Sequence, residues 1–227
     1  MSEEQDNYQQ LKTFALSQGV CLFGVADVTP IQDSFHIEPQ ESIAHLKWGI
    51  SMAVRLSDAV LEGIEDRPTL LYKHHYREAN ELLDAVAFRI ASLIQEMGYR
   101  AMAIAASQTI DWRRQVGHLS HKKVAVLAGL GWLGRHNLVV NPSHGARIRL
   151  VTVLTDLPLE VDQPVQEDCG KCRDCIPVCP AGAIHDRREE FEHQSCFEQL
   201  QYFAKKENIG YYICGVCQKA CREGRGK

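Results

Sequence analysis

The sequence lacks a long apolar run. Its longest uncharged apolar stretch, Val124 to Gly134, falls far short of the ~20 residues a membrane-spanning helix needs, so no membrane partner is expected. The opening residues, Met-Ser-Glu-Glu-Gln-Asp, contain neither a basic n-region nor an apolar h-region. Nothing in them directs export to an oxidising compartment, and a cytoplasmic setting is expected. An excess of positive charge is lacking too: 25 Lys and Arg stand against 29 Asp and Glu, for a net charge of −4. That is not the basic footprint of a nucleic-acid-binding domain, so nucleic acid is not expected as a partner on this ground. Arg222, Arg225 and Lys227 form a small basic tail, read as solvated surface. Low-complexity linkers are absent, and the cysteine runs are the only internal repeat.

What is plentiful is cysteine, nine in 227 residues. Four of them form Cys169-Gly-Lys-Cys172-Arg-Asp-Cys175-Ile-Pro-Val-Cys179-Pro180. This is C-x2-C-x2-C-x3-C-P, the bacterial ferredoxin signature. Cys196 stands alone, and Cys214-Gly-Val-Cys217-Gln-Lys-Ala-Cys221 closes the set. In two-cluster proteins the cysteine before the proline serves the other cluster. Cys169, Cys172, Cys175 and Cys221 are therefore assigned to one [4Fe-4S] cluster. Cys179, Cys196, Cys214 and Cys217 are assigned to a second. The competing reading is structural zinc, since two C-x2-C pairs also suit a ribbon. Three thiolates at successive x2 spacing in one loop are awkward for a single tetrahedral ion, which favours clusters.

Length sets the frame. At ~150 residues per domain, 227 residues make one or two domains. The residues ahead of the cysteine module suffice for a real core. Tyr8 to Gln18 has amphipathic helical periodicity, closed by Gly19. Val20 to Val28 reads as a buried strand that includes Cys21 as a small hydrophobe. Trp48 to Leu56 alternates as a second strand, and Ala59 to Pro68 reads as a loop. Leu70 to Met97 is the longest helical pattern, with Leu82, Leu83, Val86, Ile90, Leu93 and Ile94 on one face and Gly98 after it. Tyr72, near its start, either packs or faces a cofactor. Tyr99 to Ala105 reads as a third strand, and Ser107 to Gly117 as a polar segment containing Asp111. In His118-Leu-Ser-His121 the two histidines lack a third ligand, so Ser120 is read as a helix cap rather than the run as a metal site. Lys122 to Ala128 continues as helix, and Ile148 to Thr155 as a strand.

Gly129, Gly131 and Gly134 match G-x-G-x-x-G, the dinucleotide fingerprint. That fingerprint works only when a helix follows and aims its N-terminus at the pyrophosphate. Here Leu138-Val139-Val140-Asn141-Pro142 reads as extended chain and then a turn, so a nicotinamide site is not favoured. The glycines imply that something approaches the backbone closely. Arg135, Arg147 and Arg149 either grip an anion or form a solvated face.

The stretch Ala128-Gly-Leu-Gly-Trp-Leu-Gly-Arg-His-Asn137, then Asn141-Pro142-Ser-His-Gly145-Ala-Arg147 and Leu154-Thr-Asp156-Leu-Pro158-Leu, followed by the cysteine runs, resembles the epoxyqueuosine reductases. More distantly it resembles the corrinoid-containing core of reductive dehalogenases. The resemblance implies a base-off cobalamin beside two [4Fe-4S] clusters, with electrons passing through the clusters to cobalt. It implies cofactor contacts from Gly129, Gly131, Trp132, Gly134, Arg135, Asn137 and Arg147. An Asp-x-x-Pro motif upstream of the glycine loop, an Asp-Tyr-His motif, further C-terminal helical repeats and a twin-arginine signal belong to those families and have no counterpart here. Asp111, with Tyr72 after it, is therefore the candidate proton donor.

The expected architecture is an α/β (α+β) N-terminal domain, residues 1–160, followed by a small bacterial-ferredoxin-like double-cluster domain, residues 161–227. The expected activity is that of an epoxyqueuosine reductase-like iron–sulfur oxidoreductase. Reductive cleavage or elimination at a carbon–heteroatom bond is the expected chemistry. The electron donor would be a ferredoxin or flavodoxin, and the substrate a small molecule or modified nucleoside. The alternative is a ferredoxin-type electron carrier with no substrate of its own.

Overall fold

A computed structural model describes residues 2–222, so Arg225 and Lys227 of the basic tail lie outside the described residues. The chain forms two compact units, each gathered from separated stretches. The first takes the residues up to Val54 together with Asn80–Leu130 and Arg149–Val165. The second takes Arg55–Ala79, Gly131–Ile148 and the residues from Gln166 on.

In the first unit, helix α1 (Glu3–Ser17) starts at a reciprocal cap. The Ser2 hydroxyl accepts from the Gln5 N–H, and the Gln5 side chain accepts from the Ser2 N–H. Leu11 and Ala15 form its buried face. Strands β1 (Leu22–Asp27) and β2 (Trp48–Arg55) pair antiparallel, with Leu22 opposite Ala53 and Asp27 opposite Trp48. Cys21 sits just before β1, half-buried, with its thiol donating to the Ala53 carbonyl. Every residue of β2 from Gly49 to Val54 is buried, the mark of a strand covered on both faces.

Where the sequence reads as a loop, a short helix α2 (Asp58–Glu62) forms instead, because Leu61 is fully buried and anchors one turn. Helix α3 (Leu70–Glu96) runs nearly as its periodicity predicts. Leu83, Val86, Ala87, Ile90, Ala91 and Ile94 make the buried stripe. Leu82 is exposed and Leu93 only half-buried. They flank the stripe at the edges that a 3.6-residue period leaves to solvent.

Strand β3 (Ala101–Ile104) comes next, then helix α4 (His121–Leu127). Ser120 caps α4 by accepting from the Lys123 N–H. His121 is a core residue: its ring nitrogens bond Thr152 Oγ1 at 2.8 Å and the Ala105 carbonyl at 2.9 Å. Burial pushes its pKa down to about 4, so the imidazole is neutral.

Strands β4 (Trp132–Leu133) and β5 (Val139–Val140) form a small antiparallel hairpin. The glycine-rich segment thus leads into strand, not helix, as its composition predicts. Strand β6 (Ile148–Thr155) completes a four-stranded sheet of order β1-β2-β6-β3, with Ala101 of β3 opposite Thr155. Asp162 ties the end of the unit to β1, since its carboxylate accepts from the Val25 N–H at 2.8 Å and the Tyr8 hydroxyl at 3.1 Å. In the second unit, which also holds α2, the first residues of α3, β4 and β5, helices α5 (His193–Lys205) and α6 (Val216–Ala220) follow the long cysteine run.

Candidate metal centre

The run Cys169–Cys179 has no regular element; its own turns shape it. Cys172 N–H donates to Cys169 O at 2.9 Å, Ile176 N–H to Arg173 O at 3.0 Å, and Cys179 N–H to Ile176 O at 3.3 Å. Cys196 rides on the first turn of α5 and Cys217 on α6, with Cys214 and Cys221 flanking that helix. Gly215 makes this last arrangement possible. It is left-handed, at φ 85°, and a Cβ there would lie 2.8 Å from the Tyr72 ring and 2.6 Å from Ile64 Cδ1.

Burial and neighbouring thiols raise the pKa of four of the thiols. Burial pushes Cys175 up to about 11, with the nearby charges of Cys169 and Cys172 adding to the shift. Burial, then the charges of Cys169, Cys175 and Cys172, pushes Cys221 up to about 12. Burial, then Cys196 and Cys179, pushes Cys214 up to about 12. Cys217 rises well above the ordinary thiol value, through burial first and then Cys214, Cys196, Cys179 and, from the first run, Cys175. So Cys221 neighbours the thiols of the first run, and Cys179 neighbours the late cysteines.

Thiols raised by burial and by neighbouring thiols, as Cys175, Cys214, Cys217 and Cys221 are, do not ionise readily without a positive centre. Iron coordination supplies that charge and takes the thiolate form. The donor set therefore fits two metal clusters. Among the described residues no group of three His, Cys, Asp or Glu side chains converges as a single-ion site; a cubane spreads its thiolates over four irons.

The surroundings brace these loops. Tyr72, 1% exposed, donates from its hydroxyl to Gln218 Oε1 at 2.6 Å, and Gln218 Nε2 donates to the Ala146 carbonyl at 3.1 Å. Arg147 is buried, pairs with Asp58 and donates to the Lys219 carbonyl at 2.6 Å. The Arg147 bond, ahead of other causes, holds the Asp58 carboxyl below its usual range. Arg135 donates to the Asp186 and Gly170 carbonyls. Gln218, Asp58, Gly215 and Asp186 were not singled out by sequence. Gly215, inside C-x2-C, carried the one legible signal.

The other candidates are placed as follows. Gly134 and Asn137 make the turn of the β4–β5 hairpin, with the Asn137 N–H donating to Gly134 O at 2.9 Å and Asn137 at φ 59°. At Gly131, φ 151°, a Cβ would sit 2.0 Å from the Val140 carbonyl oxygen, and at Gly129 2.6 Å from that of Gln163. What approaches these glycines is the chain's own backbone. Trp132 Nε1 and Arg147 Nε are buried without a hydrogen-bond partner, two donors that suit a polar ligand such as the amide-rich rim of a corrinoid. Arg149 is engaged by Asn80 Oδ1 at 3.0 Å. Asp111 accepts from the Arg113 and Arg114 N–H groups at 2.8 and 3.1 Å, which hold its carboxyl below the usual range.

Residues 168–224 match the 4Fe-4S double cluster binding domain family. The cysteine module is a double-cluster iron–sulfur domain. An epoxyqueuosine reductase of Bacillus anthracis is 32% identical over 118 residues, 48% of this chain and 31% of that protein. That of Escherichia coli K12 is 51% identical over 63 residues, 28% of this chain and 17% of that protein. The chain thus spans about a third or less of the length of these curated relatives. In structure, a catabolic reductive dehalogenase in complex with 3-bromo-4-hydroxybenzoic acid matches with a TM-score of 0.77 at 21% identity, over 99% of this chain and 33% of that one. An epoxyqueuosine reductase from Streptococcus thermophilus matches with a TM-score of 0.66 at 22% identity, over 96% and 66%. The resemblance seen in the glycine-rich and cysteine motifs is borne out in sequence, and the mixed α/β fold with a double-cluster module in structure.

Proposed function

We propose that the chain is an iron–sulfur oxidoreductase of the epoxyqueuosine reductase type. In it Cys169, Cys172, Cys175 and Cys221 hold one [4Fe-4S] cluster, and Cys179, Cys196, Cys214 and Cys217 the other. The observation that carries the two-cluster reading is the match of residues 168–224, which hold all eight of these cysteines, to the 4Fe-4S double cluster binding domain family; the nearness of Cys221 to the first run, and of Cys179 to Cys214, supports the crossing. When bound, the clusters supply low-potential electrons one at a time, and a corrinoid supplies a strongly reducing cobalt centre for reductive cleavage at a carbon–heteroatom bond.

The chain's own residues bind, orient and deliver a proton. Trp132 and Arg147 offer unpartnered buried donors to the corrinoid. Gly129, Gly131, Gly134, Arg135 and Asn137 complete the proposed cofactor segment. Asp111, with Tyr72 second, is the proposed proton donor. Each now has other partners, Arg113 and Arg114 amides for Asp111 and Gln218 for Tyr72, so donation requires either to exchange them for substrate. Functionally, residues 1–160 would serve the corrinoid and 161–227 the clusters. The substrate is a small molecule or modified nucleoside; one solved epoxyqueuosine reductase is described with an epoxyqueuosine-modified tRNA stem loop. A cytoplasmic ferredoxin or flavodoxin would supply electrons.

A second reading is a carrier that passes electrons to a partner protein. It is favoured by Gly131, whose missing Cβ the nearby Val140 carbonyl oxygen already accounts for. Anaerobic purification with iron, sulfide and cobalt determined per chain separates the two. Cobalt together with corrinoid bands in the visible spectrum supports the oxidoreductase. Iron and sulfide without cobalt uptake supports the carrier.

A further inference from the structure

Arg135 stands outside the cysteine run, yet its guanidinium holds that run in shape. Nε donates to the Asp186 carbonyl at 2.7 Å and Nη2 to the Gly170 carbonyl at 2.9 Å. Gly170 lies between Cys169 and Cys172, so one planar fork fixes the start of the first cysteine loop to a point sixteen positions beyond it. A second guanidinium reaches the same carbonyl, since Arg173 Nη1 donates to Gly170 O at 3.1 Å. The two arginines differ electrically. Arg173 forms an ion pair with the Asp186 carboxylate, which offsets its charge. Arg135 bonds only carbonyl oxygens at these two contacts, one of them on the residue next to Cys169.

We infer that Arg135 positions the Cys169–Cys175 loop and sets the reduction potential of the cluster that this loop holds with Cys221, an inference that rests on the two-cluster reading above. Reduction adds one electron to a cluster. A fixed cation beside it stabilises the added charge and raises the potential, as hydrogen bonds and net charge around such clusters do. The other cluster, held by Cys179, Cys196, Cys214 and Cys217, has no such contact with Arg135 among those described. A lysine would keep the charge but lose the two-pronged bond, and a glutamine would lose the charge.

The test uses the full chain, reconstituted anaerobically, with EPR-monitored redox titration of each cluster. Arg135→Gln should keep the iron content and lower one midpoint potential, by about a tenfold change in the reduction equilibrium or ~59 mV for one electron. The other midpoint should not move. Arg135→Lys should hold both midpoints near the wild-type values. Because the side chain is partly exposed, the gap between wild type and Arg135→Gln should narrow as salt is raised. Unchanged midpoints in Arg135→Gln, or equal movement of both, would overturn the inference. If Arg135→Gln fails to load one cluster, Arg135→Lys decides: full loading with wild-type potentials supports the role of the charge, and loss of the same cluster overturns it. Wild-type protein that takes up no iron would instead overturn the two-cluster reading itself.

Discussion

Tyr72 and Gln218 are 146 positions apart, yet the tyrosine hydroxyl donates to the glutamine carbonyl oxygen at 2.6 Å in a buried site. Gln218 sits in the middle of α6, one residue after Cys217, and hands a second bond to Ala146. The tyrosine therefore fixes the helix that presents the late cysteines. Tyr72→Phe leaves a buried acceptor unsatisfied, which costs about 1–3 kcal/mol. The expected result is a lower Tm and slower iron uptake at the cluster of Cys179, Cys196, Cys214 and Cys217. Wild-type stability and loading with lost turnover would instead mark Tyr72 as a proton donor only.

Gly131 separates ligand from backbone. A Cβ at φ 151° would collide with the Val140 carbonyl, so Gly131→Ala should disrupt the β4–β5 hairpin even without any corrinoid. A loss of at least ~2 kcal/mol is expected, with faster hydrogen exchange over residues 131–141. An alanine variant with unchanged stability and exchange that fails only to take up cobalt would show that the glycine serves a ligand.

His121 makes stability fall with acid. Its folded pKa, about 4, lies below the ordinary histidine value of 6.5, with burial the main cause and the charge of Arg149 a lesser one. The unfolded chain binds the proton more readily, so the stabilisation is full above pH ~6.5 and is lost as the pH falls towards 4. The slope approaches ~1.4 kcal/mol per pH unit for this group. Denaturant melts at pH 7, 6 and 5 should show it. A His121→Gln variant, which does not titrate, should show a flatter profile over the same range.

Asp111→Asn keeps the acceptor that binds the Arg113 and Arg114 amides but cannot carry the proton. With iron content unchanged, turnover on a substrate should fall by about 10²–10⁴ if Asp111 is the general acid. Full turnover would return Asp111 to the role of a turn residue.

Much of the fold is legible because local chemistry sets it. Ser120 caps α4, Gly98 follows α3 and β6 spans Ile148–Thr155, all from short-range patterns. The double-cluster module is legible for the same reason, since the short cysteine spacings of residues 169–221 mark it in sequence. What escapes is long-range pairing. Asp58 meets Arg147 and Tyr72 meets Gln218 only after the chain has folded, and neither partner has a neighbour in sequence that signals it. The glycine run shows a subtler failure. Its composition signals close approach, but composition does not distinguish a ligand from the chain's own Val140 carbonyl.

If the cysteines cross between two cubanes as proposed, Cys221→Ser should damage the cluster of the first run. Iron, sulfide and zinc are counted per chain after anaerobic reconstitution, for wild type and for Cys221→Ser, Cys169→Ser and Cys214→Ser. Wild type should hold about eight irons and eight sulfides. Cys221→Ser should lose or alter the same EPR signal as Cys169→Ser, while Cys214→Ser affects the other. Stoichiometric zinc in place of iron, or a Cys221→Ser spectrum that matches Cys214→Ser, would contradict the proposed crossing.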